Sequence, residues 1–153
     1  MASALEAKCA LKAALETGMP VWVGWTLHGD VRNTLPSGET VNQAFLELNG
    51  LEPDAYLINC CAANLVAPSI KTLKELTDIP IGGYANAENI AFDTASSNLK
   101  LPEERHWNSA IEINEKAYLE EARLWIKEGA SIVGGCCRTS PSYIKELSAN
   151  LKP

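Results

Sequence analysis

The chain has 153 residues, of which 46% are hydrophobic and 21% are charged, and its net charge is −6. This length and composition are typical of one globular domain with its own core and exclude a disordered chain. The negative charge argues against nucleic acid or an anionic membrane as a partner, because both attract basic surfaces. The sequence shows neither a bilayer-spanning apolar run nor a signal-peptide pattern, so we expect a cytoplasmic protein.

Apolar patterning predicts one helix followed by four strand–helix units. The opening helix, 2–16, is rich in Ala, Leu, Glu and Lys and ends before Gly18 and Pro20. Each later unit begins with a short apolar run and continues with apolar residues at helical spacing. A polar segment from 87 to about 105 interrupts the third unit. The predicted strands are 20–27, 54–60, 79–86 and 130–135, and the helices after them are 37–50, 64–77, 108–129 and 140–151.

This alternation predicts an α/β fold with parallel strands joined by right-handed crossovers. Two architectures fit the order of elements, an open doubly wound sheet and part of a (β/α)8 barrel. No G-x-G-x-x-G sequence opens a helix, which weakens the dinucleotide-binding version of the open sheet.

The five cysteines are the strongest candidates for a functional site. In a reducing compartment, cysteines are expected to be free thiols or metal ligands rather than to form disulfides. Cys60 ends the second predicted strand, and Cys136 and Cys137 follow the fourth. The carboxyl ends of parallel strands share one face, so these three thiols should converge. Three thiolates suit zinc and leave one tetrahedral position open, although free cysteine also serves as a small buried hydrophobic residue. The spacing alone leaves both interpretations open.

Two segments add a specific resemblance. "LINCCAANLVAPSI" and "GASIVGGCCRTSPSYI" resemble the cysteine motifs of the zinc-dependent homocysteine S-methyltransferases, a family that includes the homocysteine domain of cobalamin-dependent methionine synthase. The family's Asn-Cys matches Asn59-Cys60, and its Gly-Gly-Cys-Cys matches Gly134 to Cys137. The resemblance covers nearly the whole chain. It implies one zinc ion per chain, held by Cys60, Cys136 and Cys137.

The resemblance also implies a fold and a reaction. The family fold is a (β/α)8 barrel, and this chain would supply its C-terminal half, as one helix and four βα units. Residues 1–153 would form a single homocysteine-binding domain that lacks the N-terminal half. The expected activity is transfer of a methyl group to the zinc-bound thiolate of homocysteine, giving methionine. The family's donors are S-methylmethionine or S-adenosylmethionine, betaine, or a folate and cobalamin system, and the sequence does not distinguish them.

Further residues have two interpretations each. Asn59, Tyr84 and Asn86 are candidate substrate contacts, but Tyr84 and Asn86 could equally cap the end of a strand. Arg138 could hold a carboxylate, although a solvated surface position is the better expectation. Three other residues receive structural assignments: Cys61 is expected not to replace Cys60 as a ligand, Cys9 is expected in the core, and His28 is not expected to bind metal.

Two rival functions remain at this point. The chain could be a catalytically inactive half-barrel that binds zinc or thiols, or an open α/β protein whose cysteines only pack. A half-barrel has uncovered strand edges and an uncovered apolar face, and both favour association. The expected partners are homocysteine, a small methyl donor, and either a second copy or a chain that supplies the N-terminal half.

Overall fold

The computed structural model describes residues 1–28, 33–90 and 110–151. Within these ranges strands and helices follow one another in the predicted order, with two short strands added. A 3-10 turn, Ala63–Leu65, joins the second strand to the helix after it. The helices are α1 Ala4–Leu15, α2 Val41–Glu47, α3 Val66–Leu76, α4 Glu115–Lys127 and α5 Pro141–Asn150. The strands are β1 Trp22–Thr26, β2 Ala55–Ala62, β3 Ile81–Asn86, β4 Glu88–Ile90, β5 Ala110–Glu112 and β6 Ile132–Gly135.

The main sheet has the strand order β1-β2-β3-β6, and every neighbouring pair is parallel. In the register of this sheet Asn59 lies opposite both Thr26 and Tyr84, and Tyr84 lies opposite Gly134. The carboxyl ends of all four strands therefore meet at one edge. The predicted α/β fold of parallel βα units is confirmed.

The core lies between the sheet and the helices. Side chains on one face of the strands are fully buried, among them Val23, Trp25 and Ile58. They pack in one cluster with helix residues such as Ile70 and Trp125. Burial of each aliphatic side chain of this size contributes about 1.5–3 kcal/mol. Because strand side chains alternate, Gly24, Thr26, Asn59 and Tyr84 face the opposite side of the sheet.

Short polar side chains set several helix starts. Asn114 caps α4, accepting a hydrogen bond from the Ala117 backbone N–H at 3.0 Å. Thr40 and Gln43 form a reciprocal capping box at α2. The predicted start of α5 is correct, with Pro141 in the first turn, although the Ser140 side chain makes no capping hydrogen bond. Gly129, with φ of 117°, follows the end of α4 and agrees with the predicted C-terminal limit of this helix.

The predicted helix 108–129 is wrong at its start. The Asn114 cap begins α4 seven residues later, at Glu115, and the preceding Ala110–Glu112 forms β5. The segment "AIEI" alternates apolar and polar residues, which suits a strand, and β5 pairs antiparallel with β4. Part of the predicted polar segment is thus also a strand, Glu88–Ile90, and the rest lies outside the described residues.

Two further observations concern the molecule's exterior. Cys9 is exposed on α1, so the expectation that it lies in the core is wrong, because α1 buries only Ala4, Ala7 and Leu11. In the parts of the chain that the structure describes, no helix has the length and apolar character needed to cross a membrane.

Candidate metal centre

The three predicted ligands lie together at the carboxyl edge of the sheet. The Sγ atom of Cys137 is 3.8 Å from that of Cys60 and 4.0 Å from that of Cys136. All three Sγ atoms lie within 4.8 Å of one another. Tetrahedral thiolates around one zinc ion, with Zn–S bonds of about 2.3 Å, would be about 3.8 Å apart. The spacing of these thiols therefore fits a single metal ion of this kind.

A β-bulge aims Cys60 at the site. Between Asn59 and Ala62 the register against β3 shifts, because β2 carries one residue more than its neighbour. Cys60 has φ of 50°, in the left-handed region that non-glycine residues seldom adopt. The Thr26 hydroxyl donates to the Cys60 carbonyl at 3.0 Å and helps hold this conformation.

The same bulge separates Cys60 from its neighbour. Cys61 is 5% exposed and belongs to the core cluster, and burial raises the pKa of its thiol far above the usual range. The Cys61 side chain thus lies in the core, outside the group formed by the other three thiols. In the described residues the cysteine group that could hold a metal ion contains neither Cys61 nor His28.

The turn after β6 brings two adjacent cysteines to one place. The Cys136 N–H donates to the Ala85 carbonyl at 2.8 Å, which continues the pairing with β3. The Cys136 carbonyl then accepts from the Thr139 hydroxyl at 2.6 Å. Arg138 has φ of 63°, so the chain leaves extended geometry directly after Cys137. In a regular strand the side chains of residues 136 and 137 would point to opposite faces, whereas here their Sγ atoms lie 4.0 Å apart.

The thiols affect one another's ionisation. Burial, together with hydrogen bonds and like charge from Cys136 and Cys137, raises the pKa of the Cys60 thiol to about 12. In the metal-free protein at neutral pH, Cys60 is therefore a neutral thiol. A divalent metal reverses this preference, because it binds the thiolate form.

Two of the three predicted substrate contacts face the open side of the sheet near the cysteines. Asn59 Oδ1 is buried and has no hydrogen-bond partner among the described residues. Burial, followed by the charges of Cys136 and Cys60, raises the pKa of the Tyr84 hydroxyl. Gly24 leaves room for both groups, since a Cβ atom there would lie 2.9 Å from the Tyr84 hydroxyl and 3.0 Å from Asn59 Oδ1.

The third predicted contact, Asn86, is engaged by the protein itself. It is 4% exposed, its Oδ1 accepts from the Cys137 N–H at 3.2 Å, and its Nδ2 donates to Glu88 Oε1 at 3.1 Å. Of its two predicted roles, these contacts favour the cap at the end of a strand.

Some residues around the site were not singled out from the sequence. Glu88 lies within a segment interpreted as polar, yet its side chain is buried and pairs with Arg138 at 2.9 Å. Arg138 is half-exposed but not simply solvated, since its guanidinium holds this carboxylate. The hydroxyls of Thr26 and Thr139 bond to cysteine carbonyls. Neither residue type nor spacing singled out Glu88, Thr26 or Thr139 in the sequence.

Comparison with known proteins identifies the family. The family model described as "Homocysteine S-methyltransferase" matches residues 1–151. The chain belongs to the homocysteine S-methyltransferase family. The resemblance of the two cysteine segments to this family is thereby confirmed.

Individual relatives agree with this assignment. Homocysteine S-methyltransferase YbgG of Bacillus subtilis is 36% identical over 92 residues, covering 60% of this chain and 26% of that protein. Homocysteine S-methyltransferase 1 of Brassica oleracea is 30% identical over 151 residues, covering 97% of this chain and 43% of that protein. The chain thus spans less than half the length of these members of the family.

A solved structure shares the fold. The metallated form of the homocysteine methyltransferase MmuM from Escherichia coli superposes with a TM-score of 0.68 at 22% identity. The match covers 95% of this chain and 41% of that one. This chain therefore has the fold of less than half of the MmuM chain, which agrees with the expected half-barrel.

Proposed function

We propose that this chain is the metal-binding part of a homocysteine S-methyltransferase, which transfers a methyl group to the thiol of homocysteine to give methionine. The observation that carries the proposal is the grouping of Cys60, Cys136 and Cys137, whose Sγ atoms lie within 4.8 Å at the carboxyl edge of the sheet. Membership of the family and the names of its relatives support it. Residues 1–153 would form one homocysteine-binding domain.

The proposed metal is zinc, one ion per chain. Three sulfur donors at this spacing suit a borderline-soft ion and leave a fourth position for a substrate atom. A bound zinc ion would hold the homocysteine sulfur as a thiolate at neutral pH, ready to accept a methyl group. The MmuM protein, whose fold this chain shares, has been solved in a metallated form.

Asn59 and Tyr84 are proposed to orient the substrate. The free Oδ1 of Asn59 can accept a hydrogen bond from the amino group of homocysteine, and the Tyr84 hydroxyl can donate one to its carboxylate. Both groups lie above Gly24, on the same side of the sheet as the cysteines. Holding the amino-acid end of homocysteine in this way would direct its sulfur toward the cysteine group.

A catalytically inactive zinc- or thiol-binding half-barrel is the second candidate. It is favoured by the two edges of the main sheet, β1 and β6, to which no further parallel strand is paired among the described residues. In this case the proposed partners are a second copy or a chain that supplies the N-terminal half of the barrel. We also propose the cytoplasm as the compartment, because its reducing environment keeps such thiols available for metal.

A methionine-formation assay separates the two candidates. The zinc-loaded chain is supplied with homocysteine and S-methylmethionine, alone and together with a separately expressed N-terminal half of a related enzyme. Methionine formation under either condition, abolished in Cys137→Ala, supports the methyltransferase. Zinc binding without methionine formation under both conditions supports the inactive module, and a chain that binds no zinc contradicts both.

A further inference from the structure

A buried acidic residue supports the turn that carries Cys136 and Cys137. Glu88 is only 5% exposed, and a carboxylate buried without partners would be strongly unfavourable. Its Oε1 accepts a hydrogen bond from Asn86 Nδ2 at 3.1 Å, and its Oε2 pairs with Arg138 Nη1 at 2.9 Å. This carboxylate therefore links the end of β3 to the residue directly after Cys137.

The link reaches the backbone of Cys137 itself. Asn86 Oδ1 accepts from the Cys137 N–H at 3.2 Å, and the Ala87 N–H donates to the Cys137 carbonyl at 3.0 Å. Glu88 accepts from the amide nitrogen of Asn86, which leaves the amide oxygen directed at Cys137. Both backbone polar groups of Cys137 are thus fixed by the segment 86–87, and Glu88 sets the orientation of one of these contacts.

The conformation of Arg138 needs such support. Its φ of 63° is uncommon outside glycine, and residues in this region persist when their surroundings hold them. Arg138 and Cys137 belong to the same tight turn, in which the Thr139 N–H donates to the Cys136 carbonyl at 3.3 Å. The ion pair with the buried Glu88 carboxylate is a contact that can hold Arg138 there.

We propose that Glu88 is a positioning residue for the metal centre, acting through Asn86 and Arg138 to keep the Cys137 thiol beside Cys60. The inference rests on the proposed metal-binding function, but it also predicts how the metal-free thiols are arranged. Groups that orient metal ligands from outside the ligand set typically change metal affinity by 10–100-fold when they are altered.

The first test compares Glu88→Gln with a matched control. Glu88→Gln keeps the size of the side chain and an acceptor for Asn86 but removes the charge that holds Arg138. The control Glu120→Gln removes an exposed carboxylate that pairs with Arg123 on α4. Zinc affinity, measured by competition with a chromophoric chelator, should fall about tenfold in Glu88→Gln and stay unchanged in Glu120→Gln.

Cobalt(II) substitution gives a readout that a purely structural role would not change. The intensity of its thiolate charge-transfer band reports thiolate coordination, and it should fall in Glu88→Gln as the bond between Cys137 and the metal weakens. Arg138→Lys retains the positive charge and should lie between the wild type and Glu88→Gln. A lower unfolding temperature with unchanged cobalt spectra and zinc affinity would overturn the proposal.

A metal-free measurement keeps the test independent of the proposed function. A short bifunctional thiol reagent should bridge Cys60 and Cys137 in the metal-free wild type, as mapped by peptide mass spectrometry, because their Sγ atoms are 3.8 Å apart. Glu88→Gln should lower the bridged fraction several-fold. If the wild type binds no zinc, the proposed function fails, yet this comparison still decides the role of Glu88: equal bridging in wild type and variant refutes it.

Discussion

The Tyr84 hydroxyl lies directly above Gly24, two strands away across the sheet. A Cβ atom added to Gly24 would lie 2.9 Å from this hydroxyl oxygen, closer than side-chain carbons normally come. The absence of a side chain on β1 thus allows Tyr84 to extend over β2, next to Asn59. The open side of the sheet is shaped by this contact.

Gly24→Ala should therefore displace Tyr84 and weaken homocysteine binding to the zinc-loaded protein. We expect roughly a tenfold loss of affinity by calorimetry, since displacing one positioned hydrogen-bonding group costs about 1–1.5 kcal/mol. Tyr84→Phe in the same background removes the clashing oxygen and should restore the stability that Gly24→Ala loses. Unchanged homocysteine affinity in Gly24→Ala would contradict the assigned role of Tyr84.

Single cysteine variants should divide into two classes. Cys60→Ala, Cys136→Ala and Cys137→Ala each remove a proposed ligand and should lose most of the bound zinc, measured by elemental analysis of the purified protein. Cys61→Ala should keep one zinc per chain, because its thiol lies in the core. Cys9→Ala, an exposed position on α1, is the control for handling and oxidation. Full zinc content in any member of the first class would remove that residue from the site.

Zinc affinity should rise with pH. Since burial and the neighbouring thiols raise the pKa of Cys60 to about 12, metal must displace a proton from this thiol at neutral pH. We expect proton release on binding, detectable as a buffer-dependent heat in calorimetry. A binding heat that does not vary with the ionisation heat of the buffer would contradict a neutral Cys60.

The metal-free protein should lose stability in alkaline solution. A thiol with an ordinary pKa of 9.0 ionises in the unfolded chain, while the folded Cys60 retains its proton up to about 12. The folded state then binds more protons, so the free energy of unfolding falls as the pH rises between these values. Urea unfolding at two pH values across this window should show a smaller decrease in Cys60→Ala than in the wild type.

The buried face of α4 should be essential for folding. Trp125 is fully buried, and its Nε1 donates to the Ala63 carbonyl at 3.0 Å, so Trp125→Ala should cost about 3–5 kcal/mol. Leu124 is 48% exposed, and Leu124→Ala should change stability by less than about 0.5 kcal/mol. Denaturant unfolding of both variants checks the difference. Similar losses in the two variants would mean that α4 packs differently.

The isolated chain is not expected to be a stable monomer. Among the described residues no further parallel strand pairs with the edge strands β1 and β6, and Trp22 on β1 is 56% exposed. Sedimentation at micromolar concentration should show dimers or larger species, and an added N-terminal half should replace them with a one-to-one complex. A compact monomer that unfolds cooperatively would contradict this prediction.

The sequence by itself determined the alternation of strands and helices, the parallel order, and the placement of Cys60, Cys136 and Cys137 near strand ends, although β2 continues two residues beyond Cys60. These features follow from local information, because apolar periodicity and capping residues report the type of each element and where it ends. The error at the start of α4 arose where a short alternating segment adjoins a helix. A strand of three residues is decided by its pairing partner, here β4, which lies far away in the chain.

Only the tertiary structure decided which atoms form the site. The bulge at Cys60 arises where the register between β2 and β3 shifts by one residue. The turn at Arg138 contains an ion pair with Glu88, which lies fifty residues earlier in the chain. Periodicity predicts where a side chain points only while the backbone stays regular. At both cysteine segments the backbone is irregular, and its conformation depends on contacts with residues that are distant in the sequence. For the same reason, burial of Glu88 and exposure of Cys9 could not be predicted from the residue types.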